Sequence, residues 1–305
     1  MKVDLARRTA VRGLGSISLL AAFASWASRP NSPNAADQAL AALEAASGGR
    51  LGVSLLDTGS DRTTGHRSDE RFGLCSTFKL LLAAAILREA DAGRLKLDTF
   101  IEYGKADLVP HAPVTGANLD KGGMRIGELA EAAQLTSDNV AANLLLRLLG
   151  GPAGFTAILR QMGDSVTRID RIEPEMNLVA AGETRDTSTP RAMADSVARI
   201  MTGELLSTSA RETLAQWMIA TETGKKRLRA GLPPDWRAGD KTGTGVAPGM
   251  PNKHNDVAIV WPTGRAPVVI AAYYEASGYF ENTRPEDDTV LAEVGRIAAG
   301  WIGGL

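Results

Sequence analysis

Ser76-Thr77-Phe78-Lys79 runs directly into the apolar stretch Leu80 to Leu87, which reads as the first turn of a helix buried on most sides. Residues three apart on a helix stack on one face, so Lys79 is expected one turn from the Ser76 hydroxyl, within proton-transfer reach. A serine hydroxyl is a weak nucleophile until a base takes its proton. A lysine driven towards neutrality by burial and a second nearby cation can be that base. Unpaired backbone N–H groups at the start of the helix can also stabilise an oxyanion beside the nucleophile. The spacing therefore suits acyl transfer, although the same residues also fit an N-cap serine followed by a solvated lysine.

Three further stretches carry suitable groups. Ser137-Asp138-Asn139 offers a second hydroxyl and an amide, and Lys241-Thr242-Gly243 a second cation beside a hydroxyl. Glu173-Pro174-Glu175-Met176-Asn177 offers a carboxylate and an amide in a polar loop. A carboxylate that takes a proton from water, with an amide holding that water from the other side, can clear an otherwise stable acyl-serine ester. On plainer readings Ser137 or Asp138 caps the following helix, and Lys241 is a strand-edge charge.

The elements that must position these groups follow from periodicity. A helix is expected over 37–46, then a strand over 51–56 with a partner at 63–67. Helices are expected over 77–92, 126–134, 139–149, 152–162, 189–203 and 207–220. Strands return at 238–244, 256–261 and 268–274, the last two joined by the turn Pro262-Thr263-Gly264-Arg265 and therefore antiparallel, before a final helix over 287–301. The pattern is α+β: both ends of the chain build one mainly antiparallel sheet flanked by helices, with an all-helical region inserted. Residues 35–75 and 215–305 are expected to form the α/β domain and 76–214 the helical domain, with the active site between the two.

With 305 residues the chain can bury a substantial core. Lys and Arg number 34 against 35 Asp and Glu, a net charge of -1 that offers nothing to nucleic acid or an anionic membrane surface. Cys75 is the single cysteine, so no internal disulfide forms. His66, His111 and His254 lack zinc-ligand spacing, and no metal or other cofactor is expected. At the N-terminus Arg7-Arg8 and Arg12 precede the apolar segment 14–24, and Ser25-Trp26-Ala27 resembles a signal-peptidase site. Residues 1–27 read as an export signal, by the twin-arginine route from its arginine pair, and 28–34 as a flexible leader. The apolar segment is shorter than the roughly 20 residues of a spanning helix, so the mature protein is expected in the periplasm, free of the membrane.

Taken together and in this order, Ser76-Thr77-Phe78-Lys79, Ser137-Asp138-Asn139, the loop of Glu173 and Lys241-Thr242-Gly243 resemble the motifs of the class A serine β-lactamases. The resemblance implies the serine β-lactamase/D,D-peptidase-like fold with a five-stranded sheet. It also implies hydrolysis of the β-lactam amide of penicillins and cephalosporins through an acyl-Ser76 intermediate, conferring β-lactam resistance. The partners would be β-lactam substrates and inhibitors, and the protein a monomer. By the same resemblance the amides of Ser76 and Thr244 form the oxyanion hole, and Ser137 relays a proton to the departing nitrogen, oriented by Lys79 and Lys241. Glu173 and Asn177 direct the hydrolytic water. Asn139, Arg227, Thr242, Gly243 and Thr244 hold the substrate, and His111 falls where the family often has an aromatic gate residue. Whether Lys79 or Glu173, through a water, is the acylation base stays open. The loop 171–186 would be an Ω-loop closed by an Arg171–Asp186 ion pair. Two departures stand out. Some members pair a cysteine before the nucleophile with one just past the third motif, but here that second position is Gly245, which removes one argument for carbapenem hydrolysis. The segment 249–255 also reads as a longer loop than usual. The alternatives, a penicillin-binding D,D-peptidase or a non-hydrolysing β-lactam sensor, would lack the Glu173 and Asn177 pair.

Overall fold

The computed structural model describes residues 35–304; the expected export signal and the leader at 28–34 fall outside them. Along the chain the strands are β1 (Arg50–Asp57), β2 (Thr63–His66), β3 (Phe72–Gly73), β4 (Phe100–Glu102), β5 (Gly123–Arg125), β6 (Thr187–Ser188), β7 (Arg237–Gly245), β8 (Lys253–Trp261) and β9 (Val268–Glu275). The helices are α1 (Ala35–Ser47), α2 (Phe78–Asp91), α3 (Pro113–Ala117), α4 (Ile126–Leu135), α5 (Asn139–Leu148), α6 (Gly151–Gln161), α7 (Pro190–Thr202), α8 (Thr208–Ala220) and α9 (Pro285–Gly303). One five-stranded sheet takes the order β2-β1-β9-β8-β7 with every neighbouring pair antiparallel, as the α+β reading requires.

The sheet is buried on both faces, and the two-residue period of a strand divides its side chains between two cores. Val257, Ile259, Val269, Ala271 and Tyr273 join the core built around α2, α4, α5, α7 and α8. Ala258, Val260, Ile270, Ala272 and Tyr274 face the opposite way, onto Leu40 of α1 and Val290, Leu291 and Val294 of α9. The helix that follows Ser76 lies at the centre of the first core: every residue from Leu80 to Leu87 is at most 2% exposed. Truncating one of its leucines to alanine typically costs about 2–5 kcal/mol, so this helix is a rigid base for the residues at its start.

Two expectations need correction. The region 76–214 is not wholly helical, because β4 pairs with β5 inside it and β6 pairs with β3; strands of two or three residues are too short to show a period. The expected loop 249–255 also ends sooner, since β8 begins at Lys253. Its first residues read as loop because they are polar, yet Lys253, His254 and Asn255 are all at least 97% buried. Asn255 offsets that burial by donating Nδ2 to the carbonyls of Gly73 and Leu74, at 2.8 and 3.1 Å.

Candidate active site

A short 3₁₀ turn, Cys75–Thr77, leads into α2 and carries Ser76. Lys79 follows one turn later and is completely buried. Its Nζ donates to Ser76 Oγ at 2.9 Å, to the Ser137 carbonyl at 2.8 Å and to Asn139 Oδ1 at 2.5 Å. It also lies 3.0 Å from Glu173 Oε1, giving the amine more acceptors than it has hydrogens. Ser76 Oγ in turn donates to Glu173 Oε1 at 3.2 Å. Burial drives Lys79 below the ordinary lysine range, against the pull of the Glu173 charge. For Glu173 burial works against ionisation, but the Lys79 charge and hydrogen bonds from Lys79, Asn177 and Ser76 outweigh it and hold the carboxyl below its usual range.

Ser137 sits between α4 and α5 with φ 62°, in the left-handed region. Asp138 fixes that turn: its carboxylate accepts from Ala141 N at 2.9 Å, Val114 N at 3.0 Å and Thr115 N at 2.9 Å, which is the capping role open to it in the sequence. Lys241 reaches over from β7 and donates to Ser137 Oγ at 3.0 Å, while Lys79 Nζ stands 3.4 Å from the same oxygen. One hydroxyl thus accepts from two amines and keeps its own hydrogen to give away. Burial pushes Lys241 well below the ordinary lysine value, and the Lys79 charge adds to the effect.

β7 passes close to the turn that carries Ser76. A Cβ at Gly243 would stand 2.8 Å from the Leu74 carbonyl oxygen and 3.2 Å from Ser76 N, so only glycine lets the strand approach this near. Arg227 is 6% exposed and reaches the same strand. Its Nη2 donates to Thr244 Oγ1 at 2.8 Å and its Nη1 to the carbonyls of Gly243 and Asn255 at 3.0 and 2.9 Å. Thr242 Oγ1 shares a 2.6 Å hydrogen bond with Thr223 Oγ1.

Ser76, His111, Ser137, Asn139, Glu173, Asn177, Arg227, Thr242 and Thr244 line one cleft of about 270 Å³, with Lys79 and Lys241 buried beneath it. The sequence-derived site is therefore brought together in one place. His111 is an exposed residue at its edge, with φ 64° and Nε2 2.9 Å from the Thr136 carbonyl oxygen. Two residues at the site escaped the sequence reading. Thr223 is the threonine bonded to Thr242. Asn143 clamps the main chain of Glu173, accepting from Glu173 N at 2.9 Å and donating to Glu173 O at 2.8 Å. It lies four residues after Asn139, on the same helical face, and that spacing was the available signal. The Glu173 loop carries the ion pair expected for it: Arg171 Nε lies 2.5 Å from Asp186 Oδ2, and Asp186 Oδ1 also accepts from the amides of Asp170 and Arg171 at 2.8 and 3.0 Å.

A serine flanked by a buried amine, a carboxylate and a second serine held by a second lysine defines a serine acyl-transfer site on an α+β scaffold. Known proteins agree with that class. The Beta-lactamase enzyme family model matches residues 35–302. β-Lactamase L2 of Stenotrophomonas maltophilia is 49% identical over 264 residues, covering 86% of this chain and 84% of that protein. The carbapenem-hydrolysing β-lactamase KPC of Klebsiella oxytoca is 45% identical over 263 residues, covering 86% and 87%. Among solved structures, an ancestral (GNCA) class A β-lactamase superposes with a TM-score of 0.82 at 51% identity, covering 87% of this chain and 99% of that one. The chain belongs to the class A serine β-lactamases. It hydrolyses β-lactams through an acyl-serine intermediate, the chemistry by which this family confers resistance.

Proposed function

We propose that Ser76 is the nucleophile and that the other residues divide the two half-reactions between them. The observation that carries this reading is that two candidate bases stand within hydrogen-bond distance of one hydroxyl, Lys79 Nζ at 2.9 Å and Glu173 Oε1 at 3.2 Å from Ser76 Oγ. In acylation the Ser76 proton passes to Lys79 or Glu173, a bond forms from Oγ to the lactam carbonyl carbon, and the C–N bond breaks. Ser137, supplied by Lys79 and Lys241, gives the departing nitrogen its proton. The oxyanion is held by the amides of Ser76 and Thr244, a reading supported by the close passage of β7 at Gly243. In deacylation Glu173 takes a proton from water, which attacks the ester carbonyl; the ester bond breaks and Ser76 regains its proton, leaving the ring-opened acid. Asn177 donates to Glu173 Oε2 at 2.6 Å, and its buried Oδ1 lacks a partner among the described residues, so it is an acceptor available to that water. This deacylating pair favours turnover of a β-lactam over the stalled adduct of a sensor or of a penicillin-binding D,D-peptidase.

For recognition, Arg227, Lys241, Thr242 and Thr244 receive the carboxylate carried by penicillins and cephalosporins. Asn139 commits Oδ1 to Lys79 and one Nδ2 hydrogen to the Pro110 carbonyl at 2.8 Å, which leaves one hydrogen for the substrate's side-chain amide. His111 stacks at the cleft mouth. We read residues 35–75 and 215–305 as one lobe and 76–214 as the other. The protein is exported as a monomer to the periplasm, a reading supported by Arg7-Arg8 and the apolar segment after them. Among the described residues no single helix is long and apolar enough to cross a membrane.

The test is Glu173→Ala. Loss of a general base typically slows its step by about 10²–10⁴-fold, so a penicillin-derived adduct should accumulate on Ser76 and be visible by mass spectrometry. An adduct that clears as fast as in the unaltered enzyme would refute the assignment. Steady-state turnover of a chromogenic cephalosporin tests the substrate reading, and a single stoichiometric burst would contradict it.

A further inference from the structure

His254 takes no part in lining the cleft, yet it is connected to it. It lies on β8 directly across the ladder from Thr244 and is completely buried. Its ring is flanked by two acids of α9: Nδ1 is 3.3 Å from Asp288 Oδ1, and Nε2 is 3.5 Å from Asp287 Oδ2 without forming a hydrogen bond. Asp287 is already held by Arg284, at 2.9 and 2.6 Å. Asp288 Oδ1 is the acceptor that Arg227 Nε uses, at 2.8 Å. The remaining used hydrogens of Arg227 go to two main-chain carbonyls and to Thr244, so among the described residues Asp288 is the only carboxylate that fixes this guanidinium. Burial works against the charge of Asp288, and the hydrogen bonds from His254 and Arg227 hold its carboxyl below the usual range.

We infer that His254 is a positioning residue for the substrate carboxylate: by donating Nδ1–H to Asp288 it fixes the acid that aims Arg227 at Thr244 and the cleft. This rests on the role proposed for Arg227. The Asp288 side chain is 25% exposed, so without the histidine it is free to turn towards water, and Arg227 Nε loses a fixed acceptor. His254 itself stays out of contact with substrate. Its effect is therefore on binding of the carboxylate and not on the bond-breaking steps.

The experiment compares a penicillin with its methyl ester, which lacks the anionic group, in steady-state assays of the full-length protein and its variants. Arg227→Ala should raise KM for the acid far more than KM for the ester. His254→Leu, which keeps volume but removes the donor, should raise KM for the acid by about fivefold with kcat changed by less than about twofold, the scale of one ordinary intramolecular hydrogen bond. It should have little further effect in the Arg227→Ala background. His254→Asn, whose amide nitrogen stands near the place of Nδ1, should restore the original KM. A thermal melt checks that each variant is folded, and His254→Met is the second loss-of-donor variant if His254→Leu is not. Equal losses on acid and ester, a loss in kcat alone, additivity with Arg227→Ala, or an Asn variant no better than Leu would overturn the inference. If Arg227→Ala itself fails to separate acid from ester, the carboxylate role of Arg227 falls first and the inference falls with it.

Discussion

Cys75 and Gly245 invite a direct test of how the turn at Ser76 and β7 are held together. A Cβ built on Gly245 lies 3.0 Å from Cys75 Sγ, and about 3 Å is the distance from a Cβ to the far sulfur across an ordinary S–S bond. Gly245 is not among the residues with positive φ, so a side chain there adds no backbone strain, and the next neighbour, Lys253 Cβ, is at an ordinary 3.6 Å. Gly245→Cys is therefore expected to form a disulfide with Cys75. The loop it closes spans about 170 residues, for which the chain-entropy relation gives roughly 5 kcal/mol as a ceiling, with typical yields of about 2–4 kcal/mol. At about 2–4 °C per kcal/mol, Tm should rise by roughly 5–10 °C over the same variant kept reduced. The route matters as well. Burial pushes the Cys75 thiol up to about 12, so the native protein holds almost no thiolate to start the exchange. Oxidation should be slow in the folded enzyme and efficient during refolding in a glutathione redox buffer. Thiol titration in guanidinium and paired melts with and without reductant are the assays. Two free thiols after oxidative refolding, or a bond that leaves Tm unmoved, would refute the geometric reasoning.

Other outcomes follow from single contacts. Asp186→Asn removes the charge facing Arg171 while keeping an acceptor for the loop amides; it should cost about 2 kcal/mol, since an unpaired, partly buried guanidinium is left behind, and should slow deacylation. Unchanged melting and kinetics would remove the ion pair from loop positioning. Asn143→Ala frees both main-chain groups of Glu173 and should slow deacylation by about 10–100-fold with acylation less affected, read by single-turnover kinetics; equal slowing of both steps would contradict it. Burial raises Asp240 to about 6 and raises Asp256 well above the ordinary range, with the Asp240 charge adding to the latter. Acids whose folded-state pKa is raised hold their protons more tightly in the native state, so the stability they contribute is present at low pH and is lost as pH rises; for Asp240 the loss runs from about pH 4 to about 6 and reaches roughly 3 kcal/mol. Asp256→Asn should flatten that part of the profile in urea melts at pH 5 and 7, and a profile as steep as the original would rule the pair out as its source.

The pairing of Ser76 with Lys79 was legible because their relation is local: three residues apart on a helix is a distance that the backbone fixes by itself. The strands at 268–274 and 256–261 were legible from apolar runs between turn residues, but the start of β8 was not. Lys253, His254 and Asn255 look like loop until their burial is known, and for His254 and Asn255 partners in distant segments make that polarity tolerable inside a sheet. Asn143 shows the intermediate case, with a spacing that pointed to the site face and a partner 30 residues away that only the fold could supply.

By itself the sequence determined which chemistry was available, through Ser76, Lys79, Ser137, Glu173 and Lys241, and it ordered the elements that carry them. Tertiary structure decided the distances: Lys241 meeting Ser137 Oγ across 104 positions of chain, Glu173 reaching Ser76 across 97, and Arg227 held by Asp288 across 61. A helical turn sets the geometry of residues three or four apart, whereas contacts over tens of residues exist only once two cores have packed on either face of one sheet.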